Sequence, residues 1–290
     1  MKGCITMKKL LLSICAVLVC ASLVIAFAAC GSETVEESST EESSSAAEST
    51  SESDLEYVVS KGTLVVGITD FEPMDYKDDD GNWIGFDADL ATAFAEYLGV
   101  EIEFVEIDWD NKVLELNATS VDCIWNGMTL TDEVLSAMEC SYAYLNNAQI
   151  VVLSADIADD YTTVEELASL TFAVESGSAG AAAAEENGFT YTEVSSQANA
   201  LMEVAAGTSD AAIIDSLMAA AMVGEGTSYE DLTYTVSLTT EEYGVGFRSG
   251  SDLADALNEF LVEAYEDGTI AEIAETYGVT AALVDLSVYA

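Results

Sequence analysis

The distribution of apolar residues divides the chain into three parts. Residues 10–29 form one apolar run without a charge, and residues 31–54 consist mostly of Ser, Glu and Thr. From residue 55 onward, short apolar runs of strand length alternate with longer segments in which apolar residues recur at helical spacing. This alternation predicts an α/β body of mainly parallel sheets covered by helices.

Each segment of the body has a predicted type. Apolar runs rich in β-branched residues predict strands at 63–68, 101–107, 121–125, 148–153, 170–174, 211–214 and 245–247. Amphipathic spacing predicts helices at 87–98, 112–116, 177–186, 198–206, 252–266 and 270–277. Thr131 is expected to cap one further short helix. Residues 75–84 predict a hairpin, and we expect its acidic turn at 78–81 to bind no calcium because Tyr76 occupies the first ligand position.

The N-terminal part has the pattern of an export signal. Lys2, Lys8 and Lys9 precede the apolar run, and Ala28-Ala29-Cys30-Gly31 follows it. Small residues directly before a cysteine resemble the lipobox of bacterial lipoproteins, in which that cysteine becomes the lipidated first residue. We therefore expect residues 1–29 to be a signal peptide and Cys30 to carry lipid.

The Ser/Glu-rich segment that follows is predicted to be a tether. Its apolar content is too low to offset chain entropy, so residues 30–54 are expected to form a lipidated cysteine and a flexible, self-repelling spacer. The protein would then be anchored to the outer face of the bacterial cytoplasmic membrane. An uncleaved membrane anchor is the alternative, and initiation at Met7 instead of Met1 stays open.

The composition is strongly acidic and contains no histidine. The chain has 7 Lys and Arg against 54 Asp and Glu, and loss of residues 1–29 leaves 4 − 54 = −50. Nucleic acid is excluded as a partner, because phosphate binding requires clustered Lys and Arg. The absence of histidine excludes Ser-His-Asp catalysis and His-ligated metal, and we expect neither a metal nor a cofactor. Cys123 and Cys140 either pair or are buried as small hydrophobic residues.

A series of short motifs across the body is similar to one known family. In chain order they are Leu64-Val65-Val66-Gly67, Gly85-Phe86-Asp87-Ala88-Asp89-Leu90, Gly127-Met128-Thr129-Leu130-Thr131-Asp132-Glu133, Ser141-Tyr142-Ala143-Tyr144, Gly177-Ser178, Gly207-Thr208-Ser209-Asp210-Ala211, Asp215, Tyr243-Gly244-Val245-Gly246-Phe247 and Asp267-Gly268. Their order and spacing over residues 60–278 resemble the family 3 extracellular solute-binding proteins, the polar-amino-acid receptors of ABC importers.

The resemblance implies a two-lobed periplasmic-binding-protein-like fold. Two mixed, mostly parallel sheets flanked by helices would be joined by two crossover strands near 147–151 and 237–243. Residues 55–148 and 240–290 would form lobe 1, and residues 149–239 would form lobe 2. The lobes are expected to close on a small polar ligand, an amino acid or a related amine, which the monomer delivers to the membrane subunits of an ABC permease. The alternative is an enzyme of the same fold, a dehydratase or lyase that uses cleft carboxylates.

The resemblance also implies the positions that bind the ligand. In lobe 1 they follow the strands and are Asp70, Phe71, Trp109, Asn126, Gly127, Met128 and Thr129. In lobe 2 they are Glu175, Ser178 at a helix start, and Asp215, which the family uses for the α-ammonium group. A carboxylate suits an ammonium in a closed cleft because charge-assisted hydrogen bonds strengthen there, and aromatic faces add cation–π attraction.

One position departs from the family pattern. Where the pattern Thr-x-Glu-Arg places a carboxylate-binding arginine, this chain has Val134. The predicted cleft therefore holds Asp70, Glu72, Glu175 and Asp215 without a compensating arginine. Two interpretations stay open. The ligand is cationic or lacks a free α-carboxylate, or it is an ordinary amino acid whose carboxylate binds backbone N–H groups after Thr131, aided by Asn126 or Gln149.

Overall fold

The structure is a computed structural model that describes residues 53–290. The predicted signal peptide, the lipidation site Cys30 and almost all of the predicted tether lie outside the described residues. Ser53 and Asp54, which the sequence assigned to the tether, belong to the first helix, because the Ser53 side chain accepts a hydrogen bond from the Glu56 N–H and caps it. Between residues 53 and 290, every helix is too short or too polar to span a membrane.

Ten helices cover the sheets in the part of the chain that the structure describes. They are α1 (Asp54–Lys61), α2 (Phe86–Leu98), α3 (Lys112–Asn117), α4 (Asp132–Ala137), α5 (Val164–Leu167), α6 (Ala179–Glu186), α7 (Gln197–Ala206), α8 (Ser216–Met222), α9 (Leu253–Asp267) and α10 (Thr269–Thr276). Four short 3-10 helices lie at Trp109–Asn111, Ala158–Asp160, Thr280–Ala282 and Leu286–Tyr289.

The described part of the chain also forms thirteen strands. They are β1 (Thr63–Ile68), β2 (Tyr76–Lys77), β3 (Trp83–Ile84), β4 (Glu101–Glu106), β5 (Cys123–Thr129), β6 (Glu139–Cys140), β7 (Leu145–Asn147), β8 (Gln149–Ser154), β9 (Thr171–Glu175), β10 (Thr190–Val194), β11 (Ala211–Asp215), β12 (Leu232–Ser237) and β13 (Glu241–Phe247). Strands β2 and β3 form the predicted hairpin, in which Asp78 Oδ1 accepts hydrogen bonds from the N–H groups of Asp80 and Asn82.

The first lobe is built on a six-stranded sheet in the order β4–β1–β5–β13–β6, with β7 also paired to β13. Strand β1 runs parallel to β4 and β5, and its side chains Leu64, Val66 and Ile68 are fully buried. Helix α2 packs on β5 and α9 packs on β13. Strand burial thus explains the continuous apolar run that predicted β1.

The second lobe is built on a five-stranded sheet in the order β10–β9–β11–β8–β12. Strand β9 is parallel to β10 and β11, whereas β8 is antiparallel to β11 and β12. Helices α6 and α7 pack on β9 and β11. All five residues of β11 are buried, so this strand, which ends at Asp215, lies in the core of the second lobe.

Two crossovers join the lobes, as the resemblance implied. Strand β7 lies in the first sheet and β8 in the second, with Ala148 alone between them, and β12 leads back to β13 through residues 238–240. Both sheets are mixed, as predicted. The predicted excess of parallel pairings is not found, because β8 and β13 run antiparallel to every strand with which they pair.

The two cysteines of the body are not paired with each other. Cys123 lies opposite Phe247 and Cys140 opposite Gly246, so β13 separates their strands. Two strand spacings amount to roughly 9.6 Å, which is beyond the reach of a disulfide. Cys123 is buried, as the second interpretation expected, whereas Cys140 is only partly buried.

Candidate functional site

A cavity of about 560 Å³ lies where strands of both sheets end. It is lined by nine of the ten predicted ligand-binding residues, namely Phe71, Trp109, Asn126, Gly127, Met128 and Thr129 from the first lobe and Glu175, Ser178 and Asp215 from the second. In open α/β sheets, ligands bind in the crevice at the carboxyl ends of the strands. The cavity is therefore the candidate site, and each of its walls belongs to one lobe.

Asp70 is the predicted residue that does not line this cavity. It is exposed, whereas Thr69 and Phe71 on either side of it are buried and face the cavity. Alternate side chains of a segment that continues a strand point to opposite sides, which turns Asp70 outward. Glu72, expected beside it, is also absent from the cavity lining among the described residues.

The first-lobe wall is held in place by the Asn126 side chain. Asn126 Oδ1 accepts hydrogen bonds from the Thr69 N–H and hydroxyl, both at 2.6 Å, and Asn126 Nδ2 donates to Asp75 Oδ2 at 2.7 Å. These bonds join the end of β1 to β5. The amide is thus committed to the wall itself, which leaves it little capacity to assist a ligand carboxylate.

Gly127 allows an aromatic side chain to lie against the same wall. Its φ is +53°, and a Cβ atom there would lie 2.5 Å from Phe71 Cε1. The Phe71 ring packs edge-to-face with Tyr243, with centroids 6.4 Å apart. Any side chain at position 127 would push Phe71 out of the wall.

Two carboxyl groups lie behind the first-lobe wall and outside the cavity. Asp87 Oδ2 accepts a 2.6 Å hydrogen bond from the Gly127 N–H, and the Tyr144 hydroxyl donates to both Asp87 oxygens at 2.9 Å. Burial raises the pKa of Asp87 to about 7. Burial, and then the charge of Asp87, raise the pKa of Asp75 well above its usual value. These groups hold the strand end that faces the ligand.

Asp215, at the end of β11, is enclosed by side-chain donors. Asp215 Oδ1 accepts hydrogen bonds from Asn147 Nδ2, from Gln149 Nε2 at 2.8 Å and from the Tyr243 hydroxyl at 2.8 Å, and Asp215 Oδ2 accepts one from Gln197 Nε2. Burial, followed by the charge of Glu241, raises its pKa to about 7.

Glu175, at the end of β9, faces the cavity in a very different environment. The residue is 4% exposed, and its Oε1 atom has no hydrogen-bond partner among residues 53–290. Burial raises the pKa of Glu175 to about 8, and the charge of Asp215 adds to the rise while Lys112 opposes it.

Lys112 brings a cation into the cavity, which the sequence analysis missed. Its Nζ donates to the Gly177 carbonyl at 2.9 Å and to the Trp109 carbonyl at 3.2 Å, and it lies 4.8 Å from the centroid of the Trp109 ring. Burial lowers its pKa, against the charges of Glu175, Glu133 and Asp110. Its position three residues after Trp109, one helical turn along, is the signal that could have identified it.

The two lobes approach each other closely at Gly177. Its φ is +69°, and a Cβ atom would lie 2.7 Å from Asp110 Oδ1 and 2.9 Å from Asp110 Cα. The next residue, Ser178, caps α6 by accepting a hydrogen bond from the Ala181 N–H at 3.1 Å. Lys112, Asp110 and Gly177 therefore form the contact through which one wall meets the other.

Val134 also lines the cavity and is buried, so the missing arginine leaves an apolar surface there. Arg248 does not replace it, since its Nη2 pairs with Asp54 Oδ1 at 3.0 Å, away from the cavity lining. Among residues 53–290 no group of His, Cys, Asp and Glu side chains could hold a metal ion. The site thus combines aromatic and apolar surface with buried carboxyl groups and one lysine.

Comparison with known proteins places this architecture among solute receptors. A family model described as bacterial extracellular solute-binding proteins, family 3, matches residues 64–280. The arginine-binding extracellular protein ArtP of Bacillus subtilis is 30% identical over 276 residues, which cover 92% of this chain and 96% of ArtP.

Two solved structures show the same fold. The P235GK mutant of ArgBP from T. maritima superposes with a TM-score of 0.73 at 30% identity, covering 77% of this chain and 98% of that one. The ancestral amino acid-binding protein AncCDT-1, a precursor of cyclohexadienyl dehydratase, superposes with a TM-score of 0.71 at 32% identity, covering 78% and 99%.

Proposed function

Because the chain belongs to the bacterial extracellular solute-binding proteins of family 3, we propose that it is the receptor of an ABC importer. In this proposal it captures a small polar solute, an amino acid or a related amine, and delivers it to the membrane subunits of a permease. The chain is a binding protein rather than an enzyme, as its named relatives are.

One observation carries this proposal: the cavity has one wall in each lobe, and within residues 53–290 two crossovers join the lobes. A ligand that contacts both walls adds interactions that exist only when the lobes are together. It therefore shifts the population toward the closed form, which a permease can distinguish from the open one.

The charge of the walls supports the cationic class of ligand. The second-lobe wall includes Glu175, Glu185, Glu186 and Glu193, whereas Lys112 is the only basic residue among the described residues that line the cavity. Val134 provides no charge for an α-carboxylate, and ArtP is named for arginine binding. We therefore favour a solute with at least one cationic nitrogen over a neutral amino acid.

A thermal-shift screen of the full-length protein tests this proposal. Amino acids, amines and short peptides are each added, because a ligand that binds only the folded state raises the unfolding midpoint with the logarithm of its concentration relative to Kd. We expect cationic probes such as L-arginine and L-ornithine to raise it by about 5–10 °C at a hundredfold excess over Kd. Tight binding of neutral amino acids with no response to amines would contradict the cationic class, and recovery of chemically unchanged ligand excludes turnover.

The location is proposed as a lipid anchor at Cys30 after removal of residues 1–29. Lys2, Lys8, Lys9 and the Ala28-Ala29-Cys30-Gly31 sequence support it. Replacement of Cys30 by Ser should abolish incorporation of labelled fatty acid and release the protein from the cell surface, whereas Cys140→Ser should do neither. Retention of the Cys30→Ser protein in the membrane would instead favour an uncleaved anchor.

A further inference from the structure

Two buried carboxyl groups face the cavity from neighbouring strand ends of the second lobe. Within the described part of the chain, Glu175 and Asp215 are the buried acidic residues of the cavity lining. Strands β9 and β11 pair in parallel, with Ala173 opposite Ala212. Continued at this register, Glu175 lies opposite Ile214, one residue before Asp215. Strands are about 4.8 Å apart and rise about 3.3 Å per residue, so the two Cα atoms are about 6 Å apart. One small ligand can therefore reach both carboxyl groups.

Asp215 has room for one nitrogen of the ligand. Its Oδ2 accepts a single hydrogen bond, from Gln197 Nε2, whereas three donors share its Oδ1. A carboxylate oxygen has about two lone-pair positions, so Oδ2 keeps one of them for a further donor. Because Asp215 lines the cavity, this open position fits the α-ammonium group that the family resemblance assigned to it.

Glu175 lacks a protein donor altogether at one oxygen. Its Oε1 has no hydrogen-bond partner among residues 53–290, although the residue is 4% exposed and lines the cavity. Lys112 lines the same cavity, but within the described part of the chain it makes no ion pair with Glu175. The Lys112 Nζ donates instead to the carbonyls of Gly177 and Trp109. A buried carboxyl group without a donor is costly, so a ligand N–H that reaches it would be strongly stabilising.

The described part of the first lobe offers no comparable acceptor. Asp70 and Glu72, which were expected in the cleft, lie outside the cavity lining. The acidic residues of this lobe that do line it are Asp110, Asp132 and Glu133, and all three are exposed. A second cationic nitrogen that is shielded from water in the cavity therefore finds its carboxyl partner in the second lobe.

We infer that Glu175 is a second cation-binding position of the site, which receives the distal amine or guanidine group of a ligand whose α-ammonium group binds Asp215. The inference rests on the proposed receptor function. It narrows the ligand class from a solute with at least one cationic nitrogen to a solute with two, joined by a short carbon chain.

Binding of two cations has a consequence for protons. Burial first and the charge of Asp215 second raise the pKa of Glu175 to about 8, while Lys112 and then Gln197 oppose the rise. Burial, followed by the charge of Glu241, raises the pKa of Asp215 to about 7. The other titratable groups that act on the pair are Asp108 and Tyr243, together with the exposed carboxylates of the lining named above.

A carboxyl group must be ionised to bind a cation. Near pH 7 the ligand-free Glu175 holds a proton, which leaves to solvent when the distal nitrogen binds, and the ligand keeps its own charge. A ligand with two cationic nitrogens should then release about one proton more than a ligand that reaches Asp215 alone. The affinity for the first kind of ligand should rise between pH 6 and pH 8.

Calorimetry on the full-length protein tests the assignment with two pairs of probes. L-ornithine is compared with L-norvaline, which lacks the distal amine, and L-arginine with L-citrulline, its uncharged isostere. We expect each probe with two cationic nitrogens to bind at least about twentyfold more tightly than its partner. It should also release about one proton more, seen as a heat that depends on the ionisation enthalpy of the buffer.

Glu175→Gln should remove this preference. The affinity for L-ornithine should fall about 30-fold, and the additional proton release should disappear. The affinity for L-norvaline should change less than about threefold, because the Gln amide is neutral like the protonated Glu175. Asp215→Asn should instead weaken both members of a pair by similar factors, since both carry an α-ammonium group, and the preference should persist.

Glu193→Gln is the matched control, because it removes the same charge from an exposed position of the same wall. It should leave the preference for L-ornithine within about twofold of its original value. The assignment is overturned if Glu175→Gln keeps the preference, if Glu193→Gln loses as much of it, or if the unaltered protein binds L-ornithine and L-norvaline equally. The last comparison needs no variant, so a Glu175→Gln protein that fails to fold does not remove the test. Failure of every compound in the solute screen to bind would overturn the receptor function itself, which is a different outcome.

Discussion

The two walls of the cavity use buried carboxyl groups in opposite ways. Behind the first-lobe wall, Asp87 accepts hydrogen bonds from the Gly127 N–H and the Tyr144 hydroxyl, and in front of it Phe71 and Asn126 present an aromatic ring and an amide to the cavity. In the second-lobe wall, Glu175 faces the cavity directly, and its Oε1 has no hydrogen-bond partner among the described residues. The same chemical group therefore shapes one wall and presents an unpartnered oxygen on the other.

The difference follows from where each carboxyl group enters the fold. Asp87 lies in the first turn of α2, beside the end of β5, so its side chain meets backbone N–H groups. Glu175 is the last residue of β9 and projects past the strand into the space between the lobes. A carboxyl group surrounded by protein donors stabilises the wall, and one that lacks them can accept hydrogen bonds from a ligand.

The largest expected effect comes from breaking the support behind the first wall. Asp87→Ala leaves the Gly127 N–H and the Tyr144 hydroxyl buried without their acceptor. We expect the free energy of unfolding to fall by about 3 kcal/mol, measured by urea denaturation.

Asp89→Ala is its control, two residues further along the same helix. Asp89 accepts one hydrogen bond, from the Tyr277 hydroxyl at 2.8 Å, at a half-buried position, so this change should cost about 1 kcal/mol. Equal losses in the two variants would show that Asp87 is not a special support for the wall.

A smaller effect is expected where the two walls meet. In Gly177→Ala, the new Cβ would lie 2.9 Å from Asp110 Cα and hold the lobes apart, so ligand affinity should fall about tenfold or more. Gly207→Ala is the matched control, because Gly207 has the same φ of +69° with nothing within 4 Å of the added Cβ. Both variants should lose about 1 kcal/mol of stability through backbone strain, and only the first should lose affinity. Calorimetric titration decides between these outcomes.

Most of the fold could be predicted because buried segments carry a clear apolar signal. Strands β10 and β12 were missed, and they are the two edges of the second sheet. Their sequences, TYTEV and LTYTVS, mix polar and apolar residues because one side of an edge strand is exposed to solvent. Helix α8 begins directly after Asp215, without the loop that would mark a new element.

The site was predictable in its members but not in their roles. Motif positions placed Glu175 and Asp215 in one cleft, yet which of them keeps a free oxygen depends on donors from distant parts of the chain, such as Asn147 and Gln149. Asp70 was assigned to the site because a motif does not tell which way a side chain points. Lys112 was overlooked because the number of charged residues does not show where each of them lies in the fold.

The smallest expected effect concerns the one lysine that reaches from the first wall to the second. Lys112→Met removes the hydrogen bond from Nζ to the Gly177 carbonyl and the contact with the Trp109 ring, while it keeps a long apolar side chain. One interlobe hydrogen bond is worth about 1 kcal/mol, so we expect the ligand to dissociate roughly fivefold faster with little change in the association rate. Repulsion between Lys112 and a cationic ligand acts in the other direction, but Glu175, Glu133 and Asp110 already oppose the charge of Lys112.

Lys77→Met is the control, since Lys77 lies 4.4 Å from the centroid of the Trp83 ring in the hairpin and outside the cavity lining. Stopped-flow measurement of both variants tests this: an unchanged dissociation rate in Lys112→Met would mean that the two walls are held together by the ligand and the crossovers alone.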